Sequence, residues 1–301
     1  MINFNSRLSH FSNPRSETEN LYPEPLKAIL DIADAKATFE EISSWPDYQP
    51  TELVSLNGIA EQAGIARFWY KDESTRFGLG SFKALGGAYA VFVQLKRALK
   101  KKTGNDVNIE DLIGPRYADF LSQVVVSCAT DGNHGRSVAW GAQLFGCQCI
   151  IYIHKGVSDG RKKAIENYGA EVIRISGNYD ESVRIAAAGA VEFGRIIVSD
   201  TSYPGYMEIP KYVALGYTVM LKEIVEQLGG DMPTHVILQG GVGGLASAVC
   251  GYLWQLWGVQ RPRFVIVEPE AANCLQESAR AGVPVTVEGE LDTWMAGLAC
   301  G

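Results

Sequence analysis

Lys83 sits where a loop turns into a helix. The stretch 78–89 reads Gly-Leu-Gly-Ser-Phe-Lys-Ala-Leu-Gly-Gly-Ala-Tyr, after a strand-like run at 67–73 and a turn-rich link at 74–77. An apolar helix is predicted over 84–95, which leaves the lysine among Phe82, Ala84 and Leu85. Burial there penalises the ammonium and lowers its proton affinity, and the neutral amine is the form that makes a Schiff base. An exposed lysine in a helix's first turn would carry the same local pattern. The choice rests on what else the chain brings.

Two further stretches suit anions. A strand at 235–239 runs into Gly240, Gly241, Val242, Gly243 and Gly244, and a helix follows from Leu245. Glycines let the backbone approach an anion closely, while a helix N-terminus adds unpaired N–H groups and a positive dipole end. The turn reads as a phosphate cup; a tight turn alone accounts for only one or two of its glycines. The spacing Gly241-x-Gly243-x-x-Ala246, with Glu268 ending the next strand, also fits a dinucleotide fingerprint. The second stretch runs Thr130, Asp131, Gly132, Asn133, His134, between a strand at 124–128 and a helix at 136–145. A plain helix cap accounts for one of its polar residues. The same turn offers N–H groups to a ligand carboxylate, with Asn133 able to bond a hydroxyl or phenolate. An acid beside an anion site needs a cation or a proton, so Asp131 reads as a general base or an ammonium binder. His134 fits a structural histidine and a proton carrier equally well. Asp200 ends the strand 195–198, where doubly wound folds place ligand residues, and fits a turn cap equally well.

The elements that must position these residues alternate. Strands at 124–128, 149–153, 171–175, 195–198, 235–238 and 263–267 are separated by helices at 136–145, 160–168, 180–193, 212–228 and 245–257. Short apolar strands between helices predict an α/β fold with mostly parallel sheets covered on both faces. Residues 1–24 read as a polar arm, 24–45 as a helix, and Leu53, Leu56 and Ile59 show helical spacing; 104–119 reads as a charged, loop-like insertion. The 301 residues are 47% hydrophobic and carry a net charge of -7, which gives no general attraction to nucleic acid or to an anionic membrane. The basic run at 96–102 reads as a helix end, where the dipole favours cations. Six scattered cysteines form no CxxC pair or metal cluster and are expected to be buried thiols of a reducing, cytoplasmic compartment. No stretch approaches the length of a membrane span. The apolar segment 291–301 ends without a cap and reads as an interrupted domain.

The lysine turn, the Asn133 loop and the glycine turn, in this order, resemble the pyridoxal-phosphate enzymes of the tryptophan-synthase-β fold (fold type II). Within that group, 71–79, 82–89, 130–136 and 295–301 resemble the diaminopropionate ammonia-lyases, with Asp131 where serine and threonine dehydratases carry a small residue. The resemblance spans about 50 to the end. It implies a larger cofactor lobe of 1–83 with 205–301, C-terminally incomplete because family members continue further, and a smaller lobe of 84–204. It also implies pyridoxal 5'-phosphate held by Lys83, with Asn133 at the ring oxygen and Gly240, Gly241, Val242, Gly243 and Gly244 at the phosphate. Thr130, Asp131, Gly132 and His134 would bind substrate, and Lys83, Asp131 and Asp200 would carry the catalysis. The implied reaction is α,β-elimination of 2,3-diaminopropionate to pyruvate and ammonia by a homodimer. Lys83 and Asp131, if on opposite faces of Cα, would serve opposite enantiomers. A serine or threonine dehydratase, a Rossmann-type NAD-binding oxidoreductase and a non-catalytic binding protein are the alternatives.

Overall fold

The computed structural model describes residues 8–130, 132–289 and 291–300. A 3-10 turn at Glu24–Ala28 leads into α1 (Ile32–Ser43). The single helix expected over 24–45 is split because the Asp31 carboxylate accepts the Ala33 N–H and starts a new helix there. Leu53, Leu56 and Ile59 do not share a helix either. Leu53 belongs to β1 (Leu53–Ser55), which pairs antiparallel with β2 (Trp69–Lys71), and only Ile59 enters α2 (Asn57–Ala63). A strand partner close in the chain overrode the local periodicity.

After a 3-10 stretch at Glu73–Gly78 comes α3 (Lys83–Thr103), which absorbs the basic run into its last turn. The segment 104–119 is structured rather than loop-like: α4 (Ile109–Ile113) starts with a reciprocal Asn108–Asp111 cap and is followed by α5 (Ala118–Leu121). Val107, Ile109 and Leu112 are buried there, and these few apolar residues among charges were enough to anchor it.

The alternation that follows gives β3 (Val125–Ala129), α6 (Asn133–Phe145), β4 (Gln148–Ile153), α7 (Asp159–Glu166), β5 (Glu171–Arg174), α8 (Tyr179–Phe193) and β6 (Ile196–Ile197). These four strands form one parallel sheet in the order β5-β4-β3-β6. Alternate strand residues face opposite ways, so Val126, Cys128, Ile151 and Ile153 join α6 in the main core, while Ile150 and Tyr152 pack with Ala186 of α8. This sheet is covered on both faces, as expected.

The last elements are α9 (Glu208–Leu228), β7 (His235–Gln239), α10 (Gly244–Trp257), β8 (Arg263–Val267) and α11 (Cys274–Ala281). β7 and β8 pair in parallel, but only alternate residues are half-buried; Ile237, Val265 and Val267 are exposed. Coverage on both faces therefore fails here. The open face borders a groove of about 1060 Å³ that also takes in Tyr70 and Leu228.

Helix α3 is the hub, packed between α6 and α9. Small residues let the backbones touch: a Cβ on Gly216 of α9 would lie 2.5 Å from the Leu85 carbonyl oxygen, and one on Gly141 of α6 would lie 2.8 Å from Ala88 Cα. The lysine at the start of α3 is thereby fixed against both neighbouring helices.

Candidate active site

The turn before Lys83 is held by buried charge. Arg76 is 1% exposed, and its Nη2 donates at 2.8 Å to Glu73 and at 2.7 Å to Glu223 of α9. Lys71 adds a 2.7 Å contact to Glu223, and Thr51 and Tyr48 donate to Glu73 and Glu223 respectively. Burial alone would raise the Glu223 carboxyl, but Arg76 and then Lys71 hold it below the usual carboxylate range. The backbone then turns through the left-handed region at Phe77 (φ 48°), Gly78 (70°) and Gly80 (69°) before Phe82 and α3. Phe77 is a costly residue for that conformation; its ring packs 4.6 Å from Trp140, and the contact helps hold the turn.

Lys83 lines a cleft of about 250 Å³. Its Nζ donates to Asp200 Oδ2 at 2.5 Å, and neither side chain is more than a quarter exposed. The expectation of a weakened proton affinity is corrected here. Burial does oppose the lysine's charge, but the Asp200 carboxylate, joined by Tyr217, outweighs it and moves the amine above its usual range. Burial likewise opposes the charge of Asp200, and His134 and Lys83 hold that carboxyl well below the usual range. Asp200 is thus a partner of the lysine rather than a plain turn cap. His134 is buried, and its Nε2 lies 2.8 Å from the Val198 carbonyl, which can only accept, so Nε2 carries a proton. Its Nδ1 is 3.7 Å from Asp200 Oδ2.

The glycine turn closes the other end. Gly241 (φ 87°) and Gly243 (φ 89°) are left-handed, and Gly243 caps α10, whose first N–H groups have no intrahelical acceptor. Glu268 does not serve a ribose. Its carboxylate accepts the Leu275 and Gln276 N–H groups at 3.0 and 2.9 Å, capping α11, and a Cβ on Gly240 would lie 2.5 Å from its side chain. The dinucleotide reading loses its acid.

Lys83, Thr130, Gly132, Asn133, His134, Asp200, Gly240, Gly241, Val242, Gly243 and Gly244 all line this one cleft. Thr130 organises its loop, accepting the Gly132 and Gly135 N–H groups on Oγ1. Asp131 lies outside the described residues. Sequence reasoning missed Arg161, Tyr179 and Tyr217 as lining residues, and gave the C-terminal segment a family resemblance but no place in the site, although Leu298 and Cys300 approach Gly241. Tyr217 had no distinguishing signal, since it repeats the apolar face of α9. Among the described residues no group of His, Cys, Asp and Glu could hold a metal ion, and no helix is long and apolar enough to cross a membrane.

Comparison with known proteins gives consistent matches. The family model described as "Pyridoxal-phosphate dependent enzyme" matches residues 45–301. The diaminopropionate ammonia-lyase of Escherichia coli is 42% identical over 258 residues, covering 84% of this chain and 63% of that protein. That of Salmonella typhimurium is 41% identical over 261 residues, covering 85% and 64%. The chain therefore spans a little under two thirds of these relatives' length. The crystal structure of the Escherichia coli enzyme in complex with D-serine superposes with a TM-score of 0.82 at 39% identity, covering 95% of this chain and 70% of that one. Maize serine racemase, at 20% identity and a TM-score of 0.68 over 90% of this chain and 70% of that one, shares the fold.

Proposed function

The chain belongs to the pyridoxal-phosphate dependent enzymes, with the tryptophan-synthase-β-like fold, and on that premise we propose that it converts 2,3-diaminopropionate and water to pyruvate and two molecules of ammonia. The observation that carries the reading is the convergence of Lys83, the Asn133 loop and the glycine turn on one cleft, with Asp200 2.5 Å from the lysine amine. The donor set fits pyridoxal 5'-phosphate: an amine to bond its aldehyde, and at the opposite side a glycine-rich helix N-terminus suited to its phosphate. When bound, the cofactor supplies an electron sink that acidifies the Cα–H of an amino acid.

The chain's own residues then have these tasks. Lys83 holds the cofactor and moves a proton at Nζ. Asn133 bonds the ring oxygen, and Gly240 to Gly244 hold the phosphate. Thr130, Gly132 and His134 form the substrate pocket, where N–H groups at the start of α6 receive the substrate carboxylate. Asp131 and Asp200 receive the β-ammonium or exchange a proton with the substrate. A second amino group on the substrate gives two acids a reason to be present, which a hydroxy amino acid does not. The relatives' names, at 41–42% identity, support the same substrate.

The lobe division belongs to this reading: 84–204 contains the four-stranded sheet, and 1–83 with 205–301 contains β7 and β8. So do a cytoplasmic location, supported by the free thiols of the cysteines, and a homodimer. The test is direct. Protein incubated with pyridoxal phosphate is expected to turn yellow, to lose the colour into a stable adduct with borohydride, and to release pyruvate from diaminopropionate faster than from serine or threonine. Lys83→Ala should abolish both the adduct and turnover. A lysine adduct elsewhere in the chain, or pyruvate release favouring serine, sinks the proposal.

A further inference from the structure

Tyr217 is a buried polar group that the chemistry above leaves without a task. It is 1% exposed, its hydroxyl is sealed from solvent and makes no hydrogen bond of ordinary geometry while Asp200 holds the neighbouring amine, and it lines the cleft beside Lys83 and Asp200. A buried hydroxyl left unpaired costs stability, so each one calls for a reason. The ring is tightly held. Phe82 meets it edge-on with centroids 5.0 Å apart, and Lys83 Nζ lies 6.0 Å from its centroid. On α3, Gly86 leaves the space it occupies, since a Cβ there would come within 2.4 Å of the ring. At the far edge a Cβ on Gly244 would lie 3.9 Å away. The ring therefore spans from the lysine turn to the glycine turn.

We infer that the Tyr217 hydroxyl is a positioning group for the Lys83 amine, the hydrogen-bond partner that the amine takes whenever it leaves Asp200. The inference rests on the reading of Lys83 as the cofactor lysine. A phenol suits the amine in either state, because it accepts from an ammonium and donates to a neutral nitrogen. The charged groups around it are Lys83 on α3 and Asp200 after β6, with His134 of α6 3.7 Å behind Asp200. Burial pushes the phenol up to about 12, against the pull of Lys83 and with the help of Asp200, so at neutral pH it keeps the proton it would donate.

Tyr217→Phe tests this while keeping the ring. It removes a hydroxyl that makes no well-formed hydrogen bond while Asp200 holds the amine, so its melting temperature should equal or exceed that of the wild type. In the 301-residue chain freed of cofactor, mass spectrometry would follow the rate at which Lys83 takes up a small amine-reactive reagent as pH is varied. The variant's profile should move to lower pH, because the amine that has left Asp200 no longer finds an acceptor for its ammonium form. After loading with pyridoxal phosphate, borohydride should still fix the adduct on Lys83. The kcat for pyruvate release should fall about ten- to a hundred-fold, the size of one hydrogen bond to a charged group, with KM little changed. Superimposable labelling profiles overturn the inference whether or not the chain is active. A wild-type chain that fixes no cofactor overturns the reading beneath it instead, and the labelling result still decides what Tyr217 does at the amine. If the Phe variant does not fold, a ring-fluorinated tyrosine at 217 repeats the measurement with the shape retained, and an unmoved profile is again fatal.

Discussion

Asp200 is the residue whose neighbours say most about it. Its carboxylate lies between the Lys83 amine and the His134 imidazole in a site sheltered from water, so its charge and that of the lysine support each other. Removing the anion should lower the proton affinity of Lys83, since burial then acts unopposed. Asp200→Asn is expected to move the titration of the Lys83 ε-carbon, followed by NMR on isotope-labelled lysine, to clearly lower pH. The same variant should lose about a hundred-fold or more in pyruvate release, the typical worth of a placed acid or base. A titration that does not move would mean that the ion pair is absent in solution. The Lys83 side chain thus needs its partner for its chemistry, and local apolar neighbours predicted its state with the wrong sign. Asp200 lies 117 residues away, and nothing within 78–89 announces it.

Among the elements, α3 carries the most constraint. Its contact with α9 depends on Gly216, where an added side chain would meet the Leu85 carbonyl rather than a movable side chain. Gly216→Val should cost about 1–3 kcal/mol by urea unfolding, the usual range for overpacking a tight core. An unchanged midpoint would show that the helices can separate freely. Elements of this kind were readable in the chain because their patterns were long. The alternation from β3 to β8 is present within a residue or two at most boundaries, and the glycine turn and Asn133 loop were visible as helix N-termini. Short or composite elements were not. β1 is a strand only because β2 pairs with it, α11 starts where Glu268 caps it, and α4 holds by a few buried apolar residues in a charged stretch. Each depends on a contact that periodicity does not encode. The site followed the same rule, for its motif residues were found and Tyr217, held by packing between helices, was not.

For the molecule as a whole, buried charge and exposed apolar surface set the conditions of stability. The Glu223 carboxyl is depressed in the folded state, so its stabilisation is present above the unfolded value of about 4.3 and is lost as pH falls through the folded one. Acid below about pH 4 is therefore expected to reduce the unfolding free energy steeply. Arg76→Met should lower stability by about 3–5 kcal/mol at neutral pH by leaving Glu73 and Glu223 buried without it, and should flatten the acid limb. Parallel melts of the two proteins across pH check both, and an acid limb of equal slope in the variant would remove Glu223 as its source. At the open face of β7–β8, Ile237, Val265 and Val267 together with the groove should bind an apolar dye in the folded state.

The backbone contacts around α3 also govern time. With Gly216 and Gly141 seated against Leu85 and Ala88, the backbone of α3 has little slack to drift, and its buried amides beyond the first turn are expected to be among the slowest of the chain to exchange with solvent. What is left to reorient at Lys83 is four methylenes and a nitrogen, and the ion pair to Asp200 tethers their far end. Any swing of the amine away from Asp200 is then a motion of the side chain alone, pivoting on a stationary post.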